Sequence, residues 1–329
     1  MKTSPKVAFI IVCWNNEKLL AECLASIEAQ TYKNHKTIMV DNGSKDESIQ
    51  TAKKIMPTIE IIDTGYNNGF AKGNNIGISQ AFKDPLVEHV ALINTDARLD
   101  KNWLEALIDF QRLKPRAACI QGTTLDYYNN SIIDSTHVYI NHSGQAVQGH
   151  WKEHYYNDIG PKKIFGVNAA ACLITRKFIE AQPSKDLFDE SMFMYLEDVD
   201  IAIRATMMGW DNYLAPGATA YHMGSASSGG AVGSSEYGLY MTFRNNLGMI
   251  LKNMPLNLIP RILIKMPKVD YDTVRHLRQL GQKKAANKVI KGRLVSLTRA
   301  PIYLIKRRKI INHQQVDADY LWYLMRKGY

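Results

Sequence analysis

A chain of 329 residues and 37.3 kDa is about twice a common domain size, so one large α/β domain or one domain with an appendage is expected. It has 46 % apolar and 22 % charged residues, 11 Pro and 21 Gly scattered along it, and four cysteines (Cys13, Cys23, Cys119, Cys172) without CxxC spacing. This excludes disordered, collagen-like, zinc-ribbon and disulfide-framework readings and points to a reducing compartment. The formal net charge of +10 is a C-terminal property: residues 252–329 carry 18 Lys and Arg against 4 Asp and Glu, whereas residues 1–251 carry 23 against 27. Such a block can meet nucleic acid, anionic lipid or only water.

The chain opens with a short, continuous, β-branched run, residues 7–13, that reads as a buried parallel strand. The run is too short for the apolar region of an export signal. Leu19, Leu20, Cys23, Leu24 and Ile27 follow at helical spacing. Strands are then expected over 37–40, 59–62 and 89–93, with helices over 45–56 and 71–82 between them, which implies a mostly parallel open sheet with crossover helices. Ligands of such sheets bind at the carboxyl ends of the strands, where Asn15, Asp41 and Asp96 each stand just after an apolar run. From Ala117 onward shorter strands, a hairpin around 141–144 and another apolar run over 166–174 are expected. A helical face formed by positions 196, 199, 203 and 207 comes next, with Glu197, Asp198 and Asp200 at its start. Acidic residues there also simply compensate a helix dipole. The charge-poor stretch 247–263 is cut by Lys252, Pro255, Pro260 and Arg261 and is too short to span a bilayer.

A lone Asp after a strand is a turn former or helix cap, or else a ligand for Mg2+ or Mn2+, hard cations that bridge carboxylates to phosphates. No P-loop is present and no Gly-x-Gly-x-x-Gly follows the first strand, which disfavours phosphate-loop kinases and dinucleotide enzymes.

Six segments in order carry a resemblance. They are Val12-Cys13-Trp14-Asn15 with Cys23-Leu24-x-Ser26; Val40-Asp41-Asn42-Gly43-Ser44-x-Asp46-x-Ser48; Asn67-Asn68-Gly69-Phe70-Ala71-x-Gly73-Asn74-Asn75-x-Gly77; Leu92-Ile93-Asn94-Thr95-Asp96; Tyr195-Leu196-Glu197-Asp198-Val199-Asp200; and His222-x-Gly224-x-Ala226-Ser227. Together they resemble the family 2 glycosyltransferases, in their rhamnosyltransferase-like branch, over about residues 6–250. The resemblance implies the GT-A nucleotide-diphosphosugar transferase fold: an α/β domain over 1–250, with a nucleotide-binding half to about 116 and an acceptor-side half from 117. A basic helical extension over 251–329 would follow.

The resemblance also implies an inverting, metal-dependent transfer from a nucleoside-diphosphate sugar, dTDP-rhamnose or a UDP-sugar, to a saccharide or lipid-linked saccharide. Asp41 would accept the imide N–H of a pyrimidine base, although Asp-Asn-Gly-Ser is also an Asx-turn sequence. Val12, Trp14, Asn15, Asn68, Gly69, Phe70, Asn74, Asn94 and Thr95 would line the nucleotide-sugar site, although Gly73 and Gly77 are equally explained by close helix–sheet packing and Trp14 and Phe70 by core burial. Asn94-Thr95-Asp96 stands where the family carries Asp-x-Asp, so Asp96 is the main expected ligand for Mn2+ or Mg2+ and His222 the second. Asp198 would be the general base, with Glu197 and Asp200 orienting it. Arg244, in a Phe-Arg-Asn segment common in the branch, would brace phosphates or sit in a surface salt bridge.

In the tail, residues 283–299 place Ala286, Val289, Ile290, Leu294 and Leu297 on one expected side and basic residues elsewhere, and 306–309 is Lys-Arg-Arg-Lys. This suits an interfacial helix on an anionic membrane, hence a cytoplasmic protein peripheral on the inner face of the plasma membrane, or a core-packing helix with a solvated basic face. A sugar nucleotidyltransferase would want a lysine-bearing phosphate loop after the first strand. A nonenzymatic nucleic-acid-binding protein would leave the strand-end carboxylates without a purpose, so no nucleic-acid partner is expected.

Overall fold

The computed structural model describes residues 4–156, 159–184, 186–224 and 235–327. The first half alternates β1 (Lys6–Cys13), α1 (Glu17–Glu28), β2 (His35–Asp41), α2 (Ser48–Ile55), β3 (Glu60–Asp63), α3 (Gly69–Ala81) and β4 (Val87–Ile93). Its four strands run parallel in the order β3-β2-β1-β4, with Cys13 paired to Asp41 and Ile10 to Leu92. Helices cover both faces, and for that reason β1 reads as an unbroken apolar run rather than an alternating one. One face packs on α1 and α4 through Phe9, Ile11, Leu24, Ile27, Trp103 and Leu107; the other packs Ile10, Val90 and Leu92 with Ile78, Phe178 and Ile201. α3 lies close against the sheet because Gly73 and Gly77 carry no side chain: a Cβ on Gly73 would fall 2.7 Å from Val12, and one on Gly77 2.5 Å from Ile10. Helix–sheet packing therefore accounts for both glycines.

The second half continues with β5 (Ala97–Leu99), α4 (Trp103–Leu113), β6 (Ala117–Asp126), β7 (Ile133–Ser135), β8 (Val138–Ile140), β9 (Ala146–Gln148), β10 (Lys162–Ile164), β11 (Ala171–Thr175), α5 (Arg176–Glu180), α6 (Glu197–Met207) and β12 (Asp211–His222). β11 enters antiparallel between β4 and β6, and β12 pairs parallel with β6, so one sheet runs through both halves in the order β10-β12-β6-β11-β4-β1-β2-β3. β8 and β9 form the hairpin expected around 141–144, with Asn141 Oδ1 accepting from the amides of Ser143 and Gln145. All four cysteines are buried free thiols.

Five helices close the chain: α7 (Glu236–Asn253), α8 (Ile259–Leu263), α9 (Met266–Gln279), α10 (Lys283–Ile311) and α11 (Ala318–Lys327). The division expected at residue 250 falls inside α7. A third core mixes Val138, Phe165, Val199 and Ile203 with Leu247, Ile250, Ile262, Leu321, Leu324 and Met325, so the basic region shares its packing with the acceptor-side half. α10 runs through Pro301 and buries Ala285, Ala286, Val289, Gly292, Ser296, Tyr303 and Arg307, with the Tyr303 ring filling the space left by Gly248 on α7. The expected single apolar side is thus divided. Ala286 and Val289 face inward, whereas Ile290, Leu294 and Leu297, joined by Leu304 and Ile305, form an exposed stripe. Both ladders advance by three or four residues, so helical periodicity alone does not separate them. Among the described residues no helix is long and apolar enough to cross a membrane.

Candidate active site

The carboxyl ends of β1, β2 and β4 form the crevice that the strand pattern predicts. Asn15, held at a positive φ of 53°, donates its amide to Ser44 Oγ and accepts from the Lys45 amide, which ties the end of β1 to the turn after β2. Asn16 Nδ2 donates to Thr95 Oγ1 at 2.8 Å and ties it to the end of β4. Asp41 is buried, and its two oxygens differ: Oδ2 accepts from the amides of Gly43 and Ser44, the Asx turn, while Oδ1 has no hydrogen-bond partner. A buried carboxylate oxygen without a donor is costly, so this group can both form the turn and accept an N–H from a ligand. Trp14 is half exposed beside it. The Asn68 amide donates to the Tyr66 carbonyl, and Asn42 Nδ2 reaches the Gly69 carbonyl at 3.1 Å.

Two expected donor contacts take other places. The Phe70 ring packs edge-on against Phe188 in the core, and Asn74 is buried with its amide on the Phe70 carbonyl one turn earlier. Both serve the seating of α3, because the apolar and buried positions of that helix face the sheet.

Asp96 and His222 meet although 126 residues separate them, because β5 pairs antiparallel with β12 and sets His222 opposite Ala97. His222 Nε2 lies 3.4 Å from Asp96 Oδ1, and its Nδ1 lies 3.0 Å from Asp134 Oδ2. Burial alone would lower the imidazole pKa, but the two carboxylates outweigh it and push it up to about 10. In the free chain the imidazole therefore carries a proton between two acidic groups. A carboxylate facing an imidazole nitrogen, with a second carboxylate holding the ring from behind, is a donor set that suits a divalent cation. Among the described residues no group of three or more His, Cys, Asp or Glu side chains forms a cation cage, so these two side chains would leave the other coordination positions to a diphosphate and water. Asp134 carries no local sequence signal. It comes from the three-residue strand β7, which reaches this place only through its pairing with β6. Of the sixth motif, Ala226 and Ser227 lie outside the described residues.

α6 starts at Glu197, at the acidic cluster that the sequence places there. Residues 193–196 form a turn in which Phe193, Tyr195 and Leu196 have φ of 66°, 70° and 71°. Non-glycine residues adopt this region at a cost, and several in one short segment mark a conformation imposed by its surroundings. The turn presents Glu197 and Asp198 on the first turn of α6. Burial, with the Asp198 charge added, raises the pKa of Glu197, and burial raises that of Asp198, so the pair holds a proton more readily than free carboxylates do. Glu197 Oε2 is buried without a hydrogen-bond partner. Asp200 plays a separate, structural part. Fully buried, it pairs with Lys252 at 2.7 Å and Arg204 at 3.0 Å and fastens α6 to α7. Arg244 does not lie in a surface salt bridge. Its guanidinium donates to the carbonyls of Ser191 and Met192, just before the strained turn, and the Asn245 amide donates to the carbonyls of Met192, Met194 and Tyr195.

A mostly parallel sheet with carboxylates beside its strand ends and an acidic pair opening α6 has the GT-A architecture. The glycosyl transferase family 2 model matches residues 8–181, more than half of the chain, so the chain belongs to that family and is a glycosyltransferase. It is 28 % identical over 228 residues to the N-acetylglucosaminyl-diphospho-decaprenol L-rhamnosyltransferase of Mycobacterium tuberculosis, covering 64 % of this chain and 73 % of that protein. The mannosyltransferase PcManGT from Pyrobaculum calidifontis, solved with GDP-Man and Mn2+, superposes with a TM-score of 0.55 at 14 % identity, over 95 % of this chain and 86 % of that one. GalNAc-T7, solved with UDP, GalNAc and Mn2+, does so with a TM-score of 0.58 at 15 % identity, over 75 % of this chain but only 48 % of that one.

Proposed function

We propose that this glycosyltransferase moves a sugar, with inversion, from a nucleoside-diphosphate donor to a hydroxyl of a saccharide or lipid-linked saccharide in cell-surface polysaccharide synthesis. dTDP-rhamnose is the first donor choice and a UDP-hexose the second. The observation that carries this reading is the half-used Asp41 carboxylate at the end of β2 and the Asp96–His222 pair just past the end of β4, on either side of β1, where a pyrimidine base and its diphosphate would lie in sequence. Asp41 Oδ1 accepts the base N3–H, and Trp14 and Asn15 flank it. Asp96 and His222 would hold Mn2+ or Mg2+, with Asn94 and Thr95 beside them; when bound, such a cation neutralises charge on the departing diphosphate. Asp198 removes the acceptor hydroxyl proton while that oxygen attacks the anomeric carbon opposite the leaving phosphate, which gives inversion in one displacement. Burial and the adjacent charge disfavour a second ionisation in the Glu197–Asp198 pair.

The similarity to an enzyme named for a diphospho-decaprenol acceptor supports a lipid-linked acceptor here. The exposed stripe Ile290, Leu294, Leu297, Leu304 and Ile305, flanked on α10 by Lys284, Lys288, Lys291, Arg308 and Lys309, supports a peripheral position on an anionic membrane, at the cytoplasmic face. The test combines binding and turnover. UDP or dTDP should raise the melting temperature more with Mn2+ than without. Asp198→Asn should keep that binding but lower transfer by about 10²–10⁴-fold. Near-normal turnover by Asp198→Asn removes that residue from the role, and full activity in excess chelator removes the cation.

A further inference from the structure

Two arginines from different helices, Arg244 on α7 and Arg299 on α10, converge on one acceptor, the Ser191 carbonyl, at 3.2 and 2.8 Å. Among the described residues neither has a carboxylate within salt-bridge distance, whereas Lys252 pairs with Asp189 and Asp200, Lys306 with Asp189, and Arg204 with Asp200; Arg307 on α10 likewise donates only to carbonyls, those of Leu251 and Met254. Lys306 Nζ adds a further positive charge at Ser191 Oγ, 2.8 Å away. The absence of a side chain at Gly292 brings α10 against α7 here, since a Cβ would fall 2.5 Å from the Tyr240 carbonyl and 3.2 Å from the Arg244 amide. The pair is therefore forced together by helix packing, and burial and the Arg299 charge both pull the Arg244 pKa below its ordinary value. Carbonyl oxygens satisfy only part of the guanidinium donors. Arg299 Nε is buried without a hydrogen-bond partner, and each guanidinium has five N–H groups. Two like charges with spare donors, lacking a carboxylate and only partly closed from solvent, are matched by an anion with several oxygens.

We propose that Arg244 and Arg299 form a binding site for a diphosphate ester, and that its occupant is the diphosphate of a lipid-linked acceptor. The acceptor assignment rests on the transferase reading above, in which the donor diphosphate is already placed at Asp96 and His222. The pair instead sits under residues 191–192, on the segment that leads through the strained turn to Glu197 and Asp198. α10 turns Arg299 inward toward residues 191–192 and carries the exposed apolar stripe on its far side.

The test uses the full chain in excess chelator, with inorganic pyrophosphate titrated by calorimetry. Binding should weaken with salt, fall roughly 10- to 100-fold in Arg299→Gln, and be partly restored in Arg299→Lys, which keeps the charge. Unchanged pyrophosphate affinity in Arg299→Gln overturns the site, and this arm decides it even if no donor supports transfer. With active enzyme, Arg299→Gln should raise the KM for a diphosphate-linked acceptor saccharide and leave unchanged both the KM for the same saccharide without diphosphate and the KM for the donor. A rise in donor KM alone assigns the anion to the donor and overturns the acceptor assignment. An equal fall in kcat with both acceptors, at unchanged KM, shows that Arg299 only props the segment and overturns the site as well.

Discussion

Gly69→Ala separates two reasons for a glycine at the start of α3. Gly69 has a φ of 79°, and a Cβ there would fall 2.5 Å from both the Phe193 ring and the Phe193 carbonyl oxygen. The left-handed conformation costs an alanine about 1–2 kcal/mol, and overpacking adds roughly 1–3 kcal/mol, so the expected loss is about 2–5 kcal/mol. For a chain of this size that lowers the melting temperature by roughly 3–7 °C, which differential scanning calorimetry reads directly. Phe193 is less able to yield than an ordinary loop residue, because its carbonyl accepts from the Ala71 amide at 3.0 Å and Asn245 holds the carbonyls on either side. Whatever displacement does occur passes along residues 193–196 to Asp198. A shift of about 1 Å at a reacting group costs on the order of 10²-fold, so kcat should fall while nucleoside-diphosphate affinity holds. A raised donor KM with normal kcat and a normal melting temperature would refute this reasoning and show that the missing side chain serves the nucleotide instead.

Asp134→Asn should lower Mn2+ affinity about 10–100-fold, measured by calorimetry with UDP or dTDP present, since it removes the charge that orients His222; unchanged affinity would mean that Asp134 only packs. The tail gives a paired expectation. Truncation at residue 287 removes the buried Val289, Tyr303, Leu321, Leu324 and Met325 and should destabilise the whole chain, and a truncated protein that melts like the full one contradicts the shared third core. The triple replacement Leu294→Glu, Leu297→Glu and Ile305→Glu lies on the exposed stripe and should leave melting unchanged while reducing sedimentation with anionic vesicles. Undiminished sedimentation would take the membrane away from α10.

Much of the donor half is legible in the residues because its information is local. An apolar run of seven, a polar break and a helical repeat suffice to place β1 and the helix after it, and the polar breaks fall at the carboxyl ends, where a parallel sheet gathers its ligands. Asp41, Asp96 and the acidic start of α6 are visible for that reason. The turn before it is not, because three residues at positive φ have no propensity signature and are imposed by Arg244, Asn245 and the close approach to Gly69.

Contacts made at long range escape a reading of spacing altogether. Asp134 meets His222 across 88 residues through two strand pairings, and Arg299 meets Ser191 across 108. Periodicity gathers Ala286, Val289, Ile290, Leu294 and Leu297 on one side of α10 but does not say which of them face α7, since both ladders share the same repeat; the space beside Gly248 that admits Tyr303 settles it. Backbone hydrogen bonding and burial of nearby side chains dictate the strands and helices themselves, and those are written along the chain. The partners of a charged side chain depend on which elements happen to pack together, and that is set only when the sheet order and the three cores close.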